Sequence, residues 1–124
     1  MVNLEVIDSG TPVAGPYNLG IKAGNLLFIS GQVATPEARD IKEQTLTALD
    51  KIKKILQTAG ASVSNIVKAT VFLKNISDFN EMNLAYREFF ERNGVSEKFP
   101  ARTTVEATNP LPYGLIEIEV IAVI

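Results

Sequence analysis

The 124-residue sequence contains neither cysteine nor histidine. Without cysteine the chain has no disulfide framework, no thiol nucleophile and no thiolate metal site. Without histidine it lacks the commonest general base, any Ser-His-Asp arrangement and the usual zinc ligand. If the chain is an enzyme, proton transfer must therefore fall to Glu, Asp, Lys or Tyr side chains, to the backbone or to water.

Strong charge and long hydrophobic runs are absent as well. The formal net charge is −2, and the densest basic group, Lys51, Lys53 and Lys54, is typical of a solvated helix face. We therefore expect no nucleic-acid partner and no anionic membrane partner. No apolar run approaches the ~20 residues that span a bilayer, and the N-terminus lacks the basic and apolar regions of a signal peptide. These observations predict a soluble, cytoplasmic protein.

What is present is a hydrophobic content of 46%, enough for a core within a single domain spanning residues 1–124. Alternating and helical patterns predict the order β-β-β-α-β-α-β-β, which indicates an α+β fold with a mixed sheet. The predicted strands cover residues 3–7, a short stretch around Leu19 and Ile21, and residues 26–30, 67–74, 102–107 and 115–123. The predicted helices lie between Asp40 and Gly60 and between Ser77 and Gly94.

Each predicted helix presents one apolar stripe. The first begins with Asp40 and Glu43 as a capping pair, and the second carries an aromatic stripe that is typical of a core. Two helices cover only one face of the sheet, whereas strand 115–123 is apolar on both faces apart from Glu117 and Glu119. We therefore predict that a second copy of the chain covers the other face, which makes a homo-oligomer.

Arg102 is the strongest candidate for a functional side chain. It follows Pro100, which favours an extended conformation, and stands at the start of a strand rich in Thr and Val. A guanidinium binds a carboxylate through two parallel hydrogen bonds, so this residue can hold a small acid. The alternative is a structural ion pair with Glu106 or Glu119.

Glu117 lies between two isoleucines in an otherwise apolar strand. Burial would raise its pKa above the ordinary glutamate value, toward the range of a general acid or base. Glu119 faces the same side of the strand as Glu117 and is the competing candidate for this role. The alternative for both is that they line a polar sheet edge or a subunit contact.

Three smaller candidates come earlier in the chain. Tyr17 follows Gly15 and Pro16, so a rigid loop presents its hydroxyl either to a substrate or to the core. Ser30 can donate a hydrogen bond to a ligand, although no neighbouring residue marks it as an activated nucleophile. Gly31 permits either close backbone approach or an ordinary bulge at the strand end.

Five blocks of the sequence together resemble the Rid (YjgF-like) reactive intermediate deaminase family. The resemblance runs nearly end to end, and the blocks stand in the family's order. The most specific blocks are Pro100-Ala101-Arg102-Thr103 and Ile116-Glu117-Ile118-Glu119 with its continuation to Val123. The others are Gly15-Pro16-Tyr17, Ile29-Ser30-Gly31-Gln32 and residues 67–74.

The resemblance implies a chorismate-mutase-like protomer with about six strands and two helices on one face of the sheet. It also implies a homotrimer with clefts between its subunits, and no cofactor. The implied activity is that of a 2-iminobutanoate/2-iminopropanoate deaminase, which hydrolyses imines and enamines such as 2-aminoacrylate to 2-oxo acids and ammonia. By the same resemblance Arg102 binds the substrate carboxylate and Glu117 positions or activates the attacking water. Tyr17 and Ser30 line the cleft, and Gly31 and Thr104 contribute backbone contacts.

The sequence departs from the family pattern at three places. Thr104 stands where many members have cysteine, which excludes thiol chemistry. The loop after Gln32 is shorter than in many members, and the connection 108–114 differs from the common form. Besides deamination, a non-catalytic protein that binds small carboxylates in the same cleft is the main alternative function. RNA cleavage, proposed for some relatives, is disfavoured by the acidic charge balance.

Overall fold

The computed structural model describes residues 3–124 and confirms the predicted α+β class, with two helices on one face of a six-stranded sheet. Short 3₁₀ turns precede β4 and α2. The strands are β1 (Leu4–Ile7), β2 (Gly20–Ala23), β3 (Leu26–Val33), β4 (Ile66–Leu73), β5 (Ala101–Glu106) and β6 (Ile116–Val123). The helices are α1 (Ile41–Thr58) and α2 (Phe79–Arg92). Neither helix combines the length and apolarity that crossing a bilayer requires.

The sheet has the strand order β1-β2-β3-β6-β4-β5. All neighbouring strands are antiparallel except β4 and β5, which run parallel because α2 connects them as a crossover. The last strand along the chain, β6, therefore lies in the interior of the sheet between β3 and β4. This arrangement puts β5 at one edge, two strands away from β6.

Local signals set the bounds of the helices. The Asp40 carboxylate caps α1 by accepting a hydrogen bond from the Glu43 amide at 2.8 Å, while the Glu43 carboxylate accepts from the Arg39 amide at 2.9 Å. The predicted cap is thus present, although Glu43 bonds to the residue before Asp40. Gly60 and Gly94 follow the two helices with φ of +78° and +84°, values that glycine adopts without strain.

The core lies between the helices and one face of the sheet. It contains the inward side chains of α1 and α2 together with alternate residues of β3, β4 and β6. Regular strand alternation would put Val67 on the buried face with Ala69, but Val67 is 46% exposed. A bulge between Ile66 and Lys68 shifts the register there, so Ile66 takes the buried place instead.

The opposite, open face of the sheet carries a row of apolar side chains. Val6, Ile21, Phe28 and Ile121 are consecutive cross-strand partners on β1, β2, β3 and β6. Phe28 remains 42% exposed and Val6 56% exposed. Such a contiguous apolar surface is typical of an interaction site.

Candidate functional site

Arg102 is held against α2 by four side chains of that helix. Its Nη2 donates a hydrogen bond of 2.6 Å to Asn83 Oδ1, and its Nη1 lies 3.8 Å from the sulfur of Met82. The guanidinium carbon lies 4.8 Å from the ring centre of Tyr86 and 5.7 Å from that of Phe79. These contacts fix the orientation of the guanidinium without neutralising its charge.

The structural ion pair that was the alternative for Arg102 is not formed. Within residues 3–124 the ion pair found is between Arg92 and Glu88 on the surface of α2, with a nitrogen–oxygen distance of 3.2 Å. The Glu106 carboxylate instead accepts a hydrogen bond from the Ile76 amide at 2.8 Å. The charge of Arg102 is therefore available to an external anion.

A cavity of about 380 Å³ opens beside this guanidinium, between α2 and β5. We call it the arginine cavity. Its lining residues are Asn83, Tyr86, Arg87, Phe99, Pro100 and Arg102. Thr104 is two residues from Arg102 on the same face of β5 and does not line the cavity.

Glu117 lies on the open face of the sheet and is half-buried. Its neighbours across the ladder are Val33 on β3 and Phe72 on β4. Burial raises the pKa of the Glu117 carboxyl, and the nearby charge of Glu119 raises that pKa further. A carboxyl with a raised pKa exchanges its proton at a higher pH than an ordinary glutamate does, which suits it to general acid–base chemistry.

Gly31 makes room for the Glu117 carboxylate. A β-carbon added at Gly31 would overlap the Glu117 side chain, from Oε2 to Cγ. The register of β3 against β6 also shifts between Ile29 and Gln32, so a bulge is present as well. Both interpretations of this glycine therefore hold, and the group that approaches its backbone closely is Glu117 itself.

Tyr17 and Ser30 lie near the same carboxylate. The Tyr17 side chain is 46% exposed and its hydroxyl accepts a hydrogen bond from the Ala14 amide at 3.3 Å, so it does not cap the core. The Ser30 hydroxyl already donates to the Asn18 carbonyl at 2.6 Å. It can therefore accept a hydrogen bond from a ligand, whereas donating one would require breaking that contact.

These side chains together line an open cleft of about 450 Å³, which we call the glutamate cleft. It gathers four of the residues singled out from the sequence and also Glu119, which is exposed at its rim. The members used below are Tyr17, Ser30, Gly31, Glu117 and Glu119. No group of three or more His, Cys, Asp or Glu side chains within residues 3–124 is arranged to hold a metal ion.

The structure does not bring Arg102 and Glu117 together within one chain. Arg102 pairs with Ala69, whose side chain is buried under the helices, whereas Glu117 pairs with Phe72 on the open face. A single protomer therefore does not hold both residues in one site, and the clefts between subunits that the family resemblance implies remain a prediction. The two candidate residues belong to different cavities on opposite faces of the sheet.

Sequence reasoning missed Asn83 and treated Tyr86 only as a core residue. Both lie on the face of α2 that contacts Arg102. A signal was available, because Phe79, Asn83 and Tyr86 follow one another at helical spacing. A polar residue inside an aromatic stripe indicates a buried polar partner.

A family model described as Endoribonuclease L-PSP matches residues 9–124. The chain belongs to this family, which is also known as the YjgF or Rid family. Among its Rid-family relatives, a RutC family protein of Pyrococcus abyssi is 45% identical over 114 residues, covering 87% of this chain and 86% of the relative. The 2-iminobutanoate/2-iminopropanoate deaminase of Escherichia coli is 41% identical over 115 residues, covering 88% of each chain.

Solved structures of the Rid family have the same fold as this chain. The YjgF gene product of E. coli superposes with a TM-score of 0.86 at 37% identity, covering 96% of this chain and 98% of that one. E. coli TdcF with bound serine gives a TM-score of 0.87 at 32% identity, covering 97% and 98% of the two chains. The six-stranded sheet with two helices is therefore the fold of this family.

Proposed function

We propose that this protein hydrolyses small 2-imino acids and their enamine tautomers to 2-oxo acids and ammonia. The observation that carries the proposal is the Arg102 guanidinium, which α2 holds in place and which no carboxylate in the described part of the chain neutralises. It offers a binding site for the carboxylate that every such substrate carries. The similarity to the E. coli 2-iminobutanoate/2-iminopropanoate deaminase supports the choice of reaction.

In this reaction Glu117 accepts a proton from water as the water oxygen attacks the imine carbon. The new carbon–oxygen bond gives a carbinolamine, and the proton passes to its nitrogen. Glu117 then takes the proton of the carbinolamine hydroxyl and passes it to the nitrogen. The carbon–nitrogen bond breaks as the carbon–oxygen double bond forms, which releases ammonia and leaves the 2-oxo acid. A carboxyl with a raised pKa is suited to both transfers, and positioned proton transfer of this kind contributes ~10²–10⁴-fold.

The complete site in this proposal lies between two copies of the chain. Arg102 and Glu117 lie on opposite faces of one sheet, so a small substrate reaches both only if they come from different protomers. The exposed apolar row on the open face provides a surface for that contact. We propose a homotrimer, in which the arginine cavity of one protomer faces the glutamate cleft of the next.

The test is release of 2-oxobutanoate from freshly generated 2-iminobutanoate, compared for wild type and Arg102→Lys. Lysine keeps the positive charge but loses the two parallel hydrogen bonds, so we expect most of the acceleration over buffer to disappear. Arg92→Lys, at the surface of α2 and paired with Glu88, is the matched control and should remain active. If wild type hydrolyses several imino acids no faster than buffer alone does, the proposed enzymatic activity is refuted.

A second function, binding of small carboxylates without turnover, is supported by the serine found in the structure of TdcF. It uses the same free charge on Arg102. The two functions differ in one outcome, because a binding protein would hold 2-oxobutanoate through Arg102 while leaving the rate of imine hydrolysis unchanged. Titration of 2-oxobutanoate beside the rate assay separates them.

A further inference from the structure

The arginine cavity contains a second guanidinium that the proposed reaction does not use. Arg87 lies one residue after Tyr86 on α2 and lines the same cavity as Arg102. Its guanidinium carbon lies 5.1 Å from the ring centre of Phe99, which holds it at the cavity mouth. Within residues 3–124 it forms no ion pair with a carboxylate.

The lining of this cavity is consequently positive, because two guanidiniums face it and, among the residues that the structure describes, no acidic side chain lines it. The acidic residues of α2 nearest in sequence do not offset this charge. Glu88 is paired with Arg92, and Glu91 is not among the residues that line the cavity. Two guanidiniums brought to one cavity repel each other unless an anion lies between them.

The Tyr86 side chain also lines this cavity, and its buried hydroxyl has no hydrogen-bond partner among the described residues. The side chain as a whole is only 5% exposed. Buried polar groups are rarely left without a partner. Burial raises the pKa of Tyr86 to about 12, so this hydroxyl stays protonated.

We propose that the arginine cavity selects substrates with two acid groups, namely dicarboxylic 2-imino acids and the dicarboxylic 2-oxo acids that they yield. Arg102 binds the carboxylate next to the imine, and Arg87 binds the carboxylate at the far end of the molecule. The Tyr86 ring, 4.8 Å from the Arg102 guanidinium carbon, forms part of the cavity wall. This inference rests on the proposed function for the role of Arg102, and it adds the substrate class.

Two probes of equal carbon number test the proposal by calorimetric titration. They are 2-oxoglutarate and 2-oxopentanoate, which has a methyl group in place of the terminal carboxylate. We expect wild type to bind 2-oxoglutarate roughly threefold to tenfold tighter than 2-oxopentanoate. An ion pair with a guanidinium at a cavity mouth contributes more binding free energy than a fully exposed ion pair and less than a buried one. Equal affinity for the two acids would overturn the proposal.

Variants of the two arginines on α2 show which one causes the preference for 2-oxoglutarate. Arg87→Gln should remove the preference for 2-oxoglutarate and leave the affinity for 2-oxopentanoate unchanged. Arg92→Gln makes the same change in net charge away from the cavity and should keep the preference. A preference that survives Arg87→Gln, in a variant with wild-type circular dichroism, would also overturn the proposal.

Inorganic phosphate is the competing dianion and is titrated in the same way. If phosphate binds more tightly than 2-oxoglutarate and loses its affinity in Arg87→Gln, the cavity is a phosphate site and the dicarboxylate class is wrong. The titrations measure binding only, so they separate this inference from the proposed reaction. Hydrolysis of 2-iminobutanoate without a dicarboxylate preference refutes the inference alone, whereas an Arg87-dependent preference without any hydrolysis refutes the reaction alone.

Discussion

Arg102 and Glu117 lie on opposite faces of the same sheet, with β4 between their two strands. The parallel ladder joins Arg102 to Ala69 beneath the helices, and the antiparallel ladder joins Glu117 to Phe72 on the open face. Side chains on opposite faces of a sheet cannot both contact a molecule of a few carbon atoms. Any chemistry that needs both residues therefore needs two protomers.

Mixing two inactive variants should restore activity. In the proposed homotrimer, Arg102→Ala and Glu117→Gln would each destroy every site in their own oligomers. A mixed oligomer would contain interfaces where an intact arginine cavity faces an intact glutamate cleft. With random exchange of equal amounts, about a quarter of the sites are intact, because each site draws one of two variants from each side. The measurement is 2-oxobutanoate release after joint unfolding and refolding. Absence of recovery, once mass spectrometry has shown mixed oligomers, would place the whole site within one protomer.

Gly31→Ala should abolish most activity while changing stability little. The new β-carbon would overlap the Glu117 carboxylate, which belongs to a flexible side chain that can swing away. The substitution therefore displaces the carboxylate and changes the free energy of unfolding little. The double variant Gly31→Ala/Glu117→Gln provides the check. If Gly31 acts through Glu117, the double variant is no slower than Glu117→Gln alone. Fully multiplicative losses would show that Gly31 acts separately from the carboxylate.

The pH dependence of the rate should report the interaction between the two glutamates. Glu117 must be ionised to accept a proton, and its raised pKa moves the acidic limb of the rate profile above the ordinary glutamate value of ~4.3. Glu119→Gln removes the smaller cause of the shift, so the limb should move to lower pH while the rate at pH 8 is largely kept. Glu117→Gln should lower that rate by ~10²-fold or more. The reverse ranking of the two variants would assign the reaction to Glu119.

The raised pKa of the Glu117 carboxyl also predicts that Glu117→Gln stabilises the fold at neutral pH. Because the folded-state pKa is raised above the unfolded value, folding favours the protonated carboxyl, and this stabilisation is lost as pH rises through the folded pKa. Glutamine has no charge to bury, so the variant should unfold at a higher temperature than wild type at pH 7. The difference should vanish below pH ~4, where wild type is protonated too. A variant that is less stable at pH 7 would contradict the burial of this charge.

Gln44→Leu should destabilise the protein by roughly 2–4 kcal/mol, since three hydrogen bonds are lost and buried groups are left unpaired. The buried Gln44 amide donates to Ala38 O at 3.1 Å and Tyr113 O at 2.7 Å, and its oxygen accepts from the Leu115 amide at 2.7 Å. It thereby ties α1 to the connection that precedes β6. Urea unfolding measures the loss, and Gln57→Leu, at an exposed position of α1, is the control with near-zero effect.

Patterns within one segment were readable from the sequence, and relations between segments were not. The α1 cap at Asp40 and the aromatic stripe of α2 follow from spacing along the chain. The exposure of Val67 does not follow from spacing along the chain, because the bulge that turns this side chain outward arises from pairing with a distant strand. Likewise, no local signal says that β5 pairs in parallel with β4, which is what sends Arg102 to the helix side.

Residue identity predicted the glutamate cleft better than the arginine cavity. Tyr17, Ser30, Gly31 and Glu117 were each singled out from sequence, and the structure gathers them in one place. Asn83 and Arg87 were not, because their place in the cavity lining depends on which face of α2 meets β5. In sequence, a helix arginine that lines a cavity looks the same as one that faces only solvent, because the difference lies in its neighbours in space.

The interior position of β6 has a consequence for how the protein is made. On the ribosome, β3 and β4 are synthesised long before residues 116–123, yet these two strands have no ladder to each other and meet only through β6. A nascent chain that stops short of β6 therefore exposes two unpaired strand edges above a half-formed core. Folding is completed only after the final strand emerges, so we expect it to be slow and to favour early contact with holding chaperones.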